Sequence, residues 1–458
     1  MLKRLTALIA IVLLVVPHAA GAQQQPRRDT GPGLIRDAEI ETILRIYAKP
    51  VLEASGLGAD NVQIHIVNDP RLNAFVAGGQ HIFLNTGLLM RANRPEQVVG
   101  VIAHESGHIA GNHLTRLHRE LEEAQIKQII ALILGAAAAA MARDPNAAVG
   151  AIGLGARIIE GDLLAYTRTQ EAAADQFALN SLARIGVTPR GLMEFLELLA
   201  QQEFMITAQQ DPYVRTHPLT AARIDFLRQH LAKNPQSDVN MAPRFYVMHK
   251  RLRAKLIGFL EPQRAFEIYP ETDKSMDARY ARAIAYHRVW RMDDSLALME
   301  SLLKEYPRDP YFHELKGQIL LESGHARDSL PSLDKAAQLA PYEPLIRTLL
   351  AQAQLELNEP QYDRQALGHL TEATRRDPNN PLTWRLYATA QGRIGNIGLA
   401  SLALAEEAIL MRDLPQLNAQ IARGERTIKP NTPAWERLQD LKRFTARLKG
   451  RVPDDERR

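Results

Sequence analysis

VVGVIAHESGHIAGNHLTRL, residues 98–117, decides what this chain is built around. It is mostly apolar, contains no proline, and sets Val98, Val101, Ile102, His108 and Ile109 on neighbouring turns, so it reads as one buried helix over 98–117. His104 and His108 are four residues apart. On a helix that spacing puts both imidazoles on one face, with Cβ atoms about 5–6 Å apart, so that both reach a single ion. Glu105 sits beside them, where its carboxylate reaches a water activated by that ion, takes its proton as a peptide is attacked and passes it to the leaving amine. The ion that fits is one Zn2+, which in catalytic sites takes three protein ligands and keeps its fourth position for water.

Two registers compete for the third ligand. In the pattern HExxHxxGxxH the glycine falls on Gly111, but the last histidine falls on Leu114. His113 is one residue early; on a continuing helix it turns well away from the metal and reads as a residue at the surface or behind the ligands. The better candidate lies in LLAYTRTQEAAADQFALNSLARIG, 163–186, a second helix that stops at Gly186 with Pro189 beyond it. Glu171 and Asp175 share one face of it, among Ala172, Ala173, Ala174 and Ala178, whose small side chains let another helix approach closely. Glu171 is then the third ligand, and Asp175 accepts from the free ring nitrogen of a ligating histidine, His104.

HESGH and EAAAD, with the strand-like NAFVAGGQHIFLNTGLL (73–89) before them and THPLTAARI (216–224) after, resemble the zinc metallopeptidase family that includes the CAAX prenyl protease and the HtpX heat-shock protease. Within that family the chain resembles secreted, periplasmic forms that carry tetratricopeptide repeats. The resemblance covers nearly the whole chain after residue 22. It implies a gluzincin-type endopeptidase with zinc on His104, His108 and Glu171 and with Glu105 as the base. In such forms a histidine in an HP motif occupies the open zinc position and holds the enzyme latent; His217, before Pro218, is the matching residue. Read from the residues alone, His217 on its loop, followed by Arg223, either caps the metal or donates to the oxyanion of the tetrahedral intermediate. Glu105, His217, Arg223 and Asp175 are thus the candidate catalytic residues. His81, His118 and His249 read as solvent-exposed.

VQIHIV (62–67) alternates and is rich in β-branched residues, and NAFVA, GG, QHIFLN reads as a hairpin turning at Gly78 and Gly79. Residues 74–77 are the candidate edge on which an extended peptide adds as a strand; the other reading is a sheet that only covers the active-site helix.

The first residues, MLKR, LTALIAIVLLVV and then Ala20, Gly21 and Ala22 before Gln23, read as a secretory signal peptide at 1–22. The absence of cysteine excludes structural disulfides and a lipid-attached N-terminus, as is ordinary in a bacterial periplasm. With 56 Lys and Arg against 52 Asp and Glu, neither nucleic acid nor an acidic polymer is indicated as a partner. The apolar stretch 129–159, broken by RDPN at 143–146, has two readings: a lid or patch that touches a membrane surface, and a buried helical pair.

From 275 the composition shifts to short amphipathic helices. PRDP at 307, PYEP at 341 and PNNP at 378 recur at steps close to the tetratricopeptide period, and PNTP follows at 430. Small residues sit where paired helices must touch: Gly317, Ala351 and Ala388, then Ser329, Ala366 and Ala400, with Leu333, Leu370 and Leu404 four further on, and Ala283 with Ser295 before them. About four repeats are expected, with extra residues near 359–364 forming a lengthened turn. The expected architecture is mainly α: a metallopeptidase domain with a small β-sheet at 23–255, a connector of packed helix at 256–274, an α-solenoid of tetratricopeptide repeats at 275–448 and a charged tail at 449–458. The resemblance implies misfolded or stalled outer-membrane proteins as clients and the outer-membrane β-barrel assembly machinery as partner. The competing expectation is an assembly chaperone or adaptor whose zinc is structural or held shut by His217.

Overall fold

The computed structural model describes residues 33–113, 116, 167–200, 217 and 221–451. The expected signal peptide at 1–22, the stretch 129–159, His118 and the tail residues 452–458 lie outside the described residues.

Among the described residues the small sheet has four strands, β1 (Leu34–Ile35), β2 (Gln63–Val67), β3 (Ala74–Ala77) and β4 (His81–Asn85), in the order β1-β2-β4-β3. β2 and β4 run parallel, Gln63 opposite His81, whereas β3 and β4 form an antiparallel hairpin with Ala77 opposite His81. Gly78 and Gly79 turn that hairpin at φ of 60° and 93°, a region that favours glycine because a Cβ would clash there. Alternation sorts the side chains into two faces. Ile66, Ala74, Ile82 and Leu84 are buried against helices α1 (Ala38–Ala54) and α3 (Pro95–Ala110), and the short α2 (Thr86–Arg91) follows β4 in the chain and packs against it. The other face carries an aromatic stack, Phe75 on Phe83 at 4.9 Å and His65 on Phe83 at 4.8 Å between ring centres. β3 is an edge of the sheet and touches α3.

α3 starts at Pro95, whose missing N–H costs nothing at a first helical position. Gln97 Oε1 closes that end by accepting the amides of Asn93 and Arg94 at 2.6 and 3.2 Å. The helix is buried from Pro95 through Gly107, which is why its sequence is apolar almost all round. It is shorter than the expected 98–117: it closes at Gly111, Asn112 follows at φ 51°, and the helical turn resumes at His113. Glycine with an asparagine in the left-handed conformation is a local stop that an apolar periodicity does not reveal. Helix α4 occupies 167–185 of the described residues and is ended by Gly186 at φ 66°. α5 (Arg190–Ala200), α6 (Ala221–Lys233), α7 (Pro243–Leu260) and α8 (Pro262–Ile268) follow.

Ten helices form the repeat region: α9 (Met276–Arg288), α10 (Met292–Glu305), α11 (Pro310–Glu322), α12 (Ala326–Leu339), α13 (Pro344–Glu356), α14 (Pro360–Arg376), α15 (Pro381–Arg393), α16 (Ile397–Leu410), α17 (Leu414–Thr427) and α18 (Pro433–Arg451). They pack as successive antiparallel pairs, one pair more than the four repeats expected. The second proline of each recurring motif opens a helix, and the residue before it caps: Asp309 accepts from the amides of Tyr311 and Phe312, Glu343 from Leu345 and Asn380 from Thr383. Gly317 lies against Leu333, where a Cβ would meet the leucine side chain at 2.5 Å, so α11 and α12 pack closely at that point. The expected lengthened turn near 359–364 is absent. α14 has 17 residues where α12 has 14, so the extra residues extend the helix and the turn keeps its length. In the next pair Ser401 and Ala405 take the buried inner places instead of Ala400 and Leu404. The charged tail also begins later than expected, since α18 runs to Arg451.

One apolar core runs from Ile40, Val101 and Leu196 through Ile257 to Tyr280 and Phe312, joining the sheet-bearing part to the first repeats. α7 crosses residue 255, where a boundary was expected, and Leu256, Ile257 and Ala265 are buried, so 256–274 is packed helix over most of its length. The junction also buries charge. Lys255 Nζ lies 2.8 Å from Asp37 and 3.5 Å from Glu39, while Glu39 accepts from Tyr280 Oη at 2.7 Å and from Arg251 Nε at 2.6 Å. Each buried carboxylate there has a cation or hydroxyl within reach, as burial of charge requires. No helix among the described residues is long and apolar enough to cross a membrane.

Candidate metal centre

α3 carries His104 and His108 one turn apart, with their Nε2 atoms 3.1 Å from each other. α4 reaches them because Gly107 has no side chain: a Cβ there would sit 2.9 Å from Ala174 Cα and 3.0 Å from its carbonyl oxygen. At that separation Glu171 extends to both histidines, its oxygens 3.3 Å from His104 Nε2 and 3.4 Å from His108 Nε2. His217 completes the group from the loop before α6, its Nδ1 3.0 Å from Glu171 Oε1 and 3.5 Å from His104 Nε2. One ligand atom from each of the four residues lies within 4.8 Å of all the others.

These spacings test the fit of a metal. Four ligands on a tetrahedral zinc with bonds of about 2.0–2.1 Å stand about 3.3 Å from one another. Five of the six pairings among these residues have a contact of 3.0 to 3.5 Å, Glu171 turning Oε2 to His104 and Oε1 to His108 and His217, and one ligand atom from each lies within 4.8 Å of all the others. Beside them Glu105 is fully buried and neither of its oxygens has a hydrogen-bond partner among the described residues; the nearer one lies 3.7 Å from His217 Nε2. A buried carboxylate left in this way is costly unless something else uses it. Two or three imidazoles and a carboxylate at tetrahedral spacing, with an unsatisfied carboxylate next to them, fit a zinc ion and a water.

Electrostatics divides the roles. Burial pushes the Glu105 carboxyl up, against the pull of His217 and His104, which brings it closer to the range useful for accepting and returning a proton. Burial pulls the His108 imidazole well below its ordinary value, and His104 and His217 add to that. His104 goes the other way: burial lowers it, but the carboxylates of Asp175 and Glu171 hold it up at about 9. Burial raises Glu171, and His217 and His104 outweigh it, keeping this carboxyl well below the usual range. An ionised Glu171 and a neutral His108 are the forms that bind a cation.

Behind the ligands, Asp175 Oδ1 lies 2.9 Å from His104 Nδ1. Arg223 grips Asp175 with Nε at 2.6 Å and Nη2 at 2.9 Å, and its Nη1 is 2.9 Å from Glu171. Arg223 and Asp175, grouped from the sequence with the catalytic residues, therefore stand behind His104 and Glu171 and not among the ligand atoms. His113, read from the sequence as lying either at the surface or behind the ligands, takes the second of those places. It is buried, not at the surface, and its Nδ1 lies 2.9 Å from His108 Nδ1 because the chain turns back at Asn112. The signal available was Gly111-Asn112, a helix-stopping pair directly before it. His249, expected to be exposed, is buried with its Nε2 donating to the Ala92 carbonyl at 2.7 Å. His81 is half-buried, 2.9 Å from His65.

A peptidase fold with a buried HExxH helix, a distant glutamate on a second helix and a repeat region behind it defines the class: the chain is a metalloprotease. The model of peptidase family M48 matches residues 35–231, so this part of the chain is similar to an M48 peptidase domain. The resemblance extends beyond that domain. The chain is 26% identical over 340 residues to the putative beta-barrel assembly-enhancing protease of Vibrio cholerae, covering 72% of this chain and 68% of that one. It is 25% identical over 375 residues to the beta-barrel assembly-enhancing protease of Escherichia coli K12, covering 80% and 74%. The mitochondrial metalloendopeptidase OMA1 of Saccharomyces cerevisiae matches over 210 residues at 25% identity, covering 44% and 57%. Among solved structures, YrrB, a TPR protein with an unusual peptide-binding site, aligns with 42% of this chain and 95% of its own at 17% identity and a TM-score of 0.31.

Proposed function

We propose that this chain is a periplasmic, zinc-dependent endopeptidase that degrades misfolded or stalled outer-membrane proteins, holds its clients through the repeat helices and works beside the outer-membrane β-barrel assembly machinery. The observation that carries the chemistry is the tetrahedral spacing of His104, His108 and Glu171 next to the unsatisfied Glu105. The names of the relatives from Vibrio cholerae and Escherichia coli support the choice of clients. The leader-like sequence at 1–22 supports export, and the face of the outer membrane that borders the periplasm is where such clients stall.

His104, His108 and Glu171 would hold the zinc, which when bound supplies Lewis-acid polarisation of the scissile carbonyl and lowers the pKa of a water toward about 7. Glu105 accepts the proton of the attacking water and returns it to the leaving amine. Asp175 fixes the tautomer of His104, and Arg223 keeps Asp175 and Glu171 ionised and in register. The scissile segment lies extended along β3, the edge strand of the sheet among the described residues, where main-chain hydrogen bonds give affinity without demanding a sequence.

A second reading has its own observation. His217 stands at hydrogen-bond distance from Glu171 and near His104, at the corner that water needs, which supports a latent enzyme or an assembly chaperone whose zinc is shut off. One experiment separates them: zinc analysis and cleavage of casein and an unfolded outer-membrane β-barrel by the chain from residue 23. Cleavage that rises in His217→Ala and is lost in His217→Ala with Glu105→Gln is the expected result for a latent protease. One zinc per chain with no cleavage by wild type or His217→Ala would leave the chaperone.

A further inference from the structure

We infer that His113 is a positioning residue for the zinc ligand His108, which makes the three residues Gly111-Asn112-His113 a built part of the metal site. The inference rests on the zinc reading above and concerns residues that the HExxH pattern does not include.

His108 points Nε2 at the ligand group, 3.1 Å from His104 Nε2 and 3.4 Å from Glu171. To bind an ion through Nε2, a neutral imidazole must carry its proton on Nδ1. That nitrogen faces His113 Nδ1 at 2.9 Å, with the rings edge to face at 78° and their centres 5.0 Å apart. The His108 Nδ1–H therefore donates, and His113 accepts with its own proton on Nε2. Both tautomers are set by one requirement, that Nε2 of His108 keep its lone pair for the ion. His104 is served differently, by the Asp175 carboxylate that Arg223 grips. One ligand is thus backed by an anion and the other by a neutral ring, which withdraws less proton density and leaves the bound ion the stronger Lewis acid.

The backbone is shaped to hold the ring there. α3 closes at Gly111 and Asn112 adopts φ 51°, a conformation that asparagine tolerates better than most residues. The turn folds His113 back over the helix end, where it is buried. Its Nε2 comes so near Gly111 that a Cβ at that position would be 2.1 Å away. A side chain at 111 would push the ring off His108.

The test is the zinc dissociation constant of the chain from residue 23, by competition with a chromophoric chelator, together with the thermal unfolding of each metal-free variant. His113→Phe keeps a ring of similar volume without the acceptor, and His113→Gln restores an acceptor. The expected result is zinc binding weakened by about 10–100-fold in His113→Phe and recovered to within about threefold of wild type in His113→Gln. Metal-free melting temperatures of the two should be alike, since packing alone does not need the acceptor. Gly111→Ala, which leaves His113 in place chemically but displaces it, is expected to weaken binding as His113→Phe does, and decides the matter should His113→Phe fail to fold. Zinc bound by His113→Phe, or by Gly111→Ala where that one decides, as tightly as by wild type would overturn the inference. If wild type itself bound no zinc, or bound it no tighter than His104→Ala, the zinc reading would fall instead.

Discussion

Gly107→Ala asks whether the close approach of α3 and α4 builds the site. The added methyl would lie 2.9 Å from Ala174 Cα, 3.0 Å from the Ala174 carbonyl oxygen and 3.2 Å from Ala174 Cβ. Ordinary carbon contacts are about 3.5–4.0 Å, so the helices must part by about 0.5–1 Å at this point. Two of the three obstacles are backbone atoms, and no rotamer change removes them. Alanine in a helix gains about 1 kcal/mol over glycine, while overpacking of this kind costs about 1–3 kcal/mol. The gain offsets part of the cost, so the expected net loss of stability is at most about 2 kcal/mol. Function has no such offset. Glu171 rides on α4 three residues from the clash, and a displacement of about 1 Å at a reacting centre is worth about 100-fold. Denaturant unfolding should show a protein close to wild type, and kcat/KM on casein, read in whichever of wild type and His217→Ala is the more active background, should fall about 100-fold. Gly368→Ala is the control: exposed, helical and with nothing within 4 Å of its added methyl, it should gain about 0.5–1 kcal/mol and keep full activity. Cleavage by Gly107→Ala at the wild-type rate would refute the reasoning, because the ligand helix would then not depend on that contact.

Two further outcomes follow from the same geometry. Arg223→Ala leaves the two buried carboxylates of Asp175 and Glu171 with His104 as their nearest cation and should cost about 3–5 kcal/mol in denaturant unfolding of the metal-free chain; a loss under about 1 kcal/mol would show that the arginine is not what keeps them ionised. His249 is held at about 4, first by burial and then by Arg253, against the Ala92 carbonyl and Glu96. Its folded value is below its unfolded value of about 6.5, so the unfolded chain binds more protons in between: stability is full above pH 6.5 and is lost as pH falls toward 4, by about 3 kcal/mol. His249→Gln keeps a donor for Ala92 and removes the titration, so the stability difference between wild type and variant should shift by about 3 kcal/mol across that window. A difference independent of pH would count against it.

HESGH and EAAAD were readable because catalytic zinc chemistry needs those donors at helical spacing, and the same spacing that makes a pattern visible also makes it work. The prolines of the repeats were readable for a similar reason, since Pro310, Pro344 and Pro381 each open a helix that the preceding residue caps. What escaped was decided by single backbone angles or by tertiary neighbours. Asn112 ends α3 by adopting one uncommon conformation, and that decides between the two places the sequence left open for His113, setting it behind His108 and not at the surface. The residues added near 359–364 entered α14 because a helix absorbs residues as readily as a turn when its outer face is solvent. β1, two residues long, is too short to carry a period. The burial of His249 depends on a carbonyl far away in the chain, at Ala92, which no local pattern encodes.

The most direct test of the central claim is the zinc dissociation constant of Glu171→Gln beside that of wild type. Residues one step behind a zinc ligand are commonly worth about 10–100-fold in affinity, so loss of a ligand should weaken binding by more than about 100-fold. Zinc held by Glu171→Gln as tightly as by wild type would contradict the account, because the carboxylate from the second helix would not be part of the metal site.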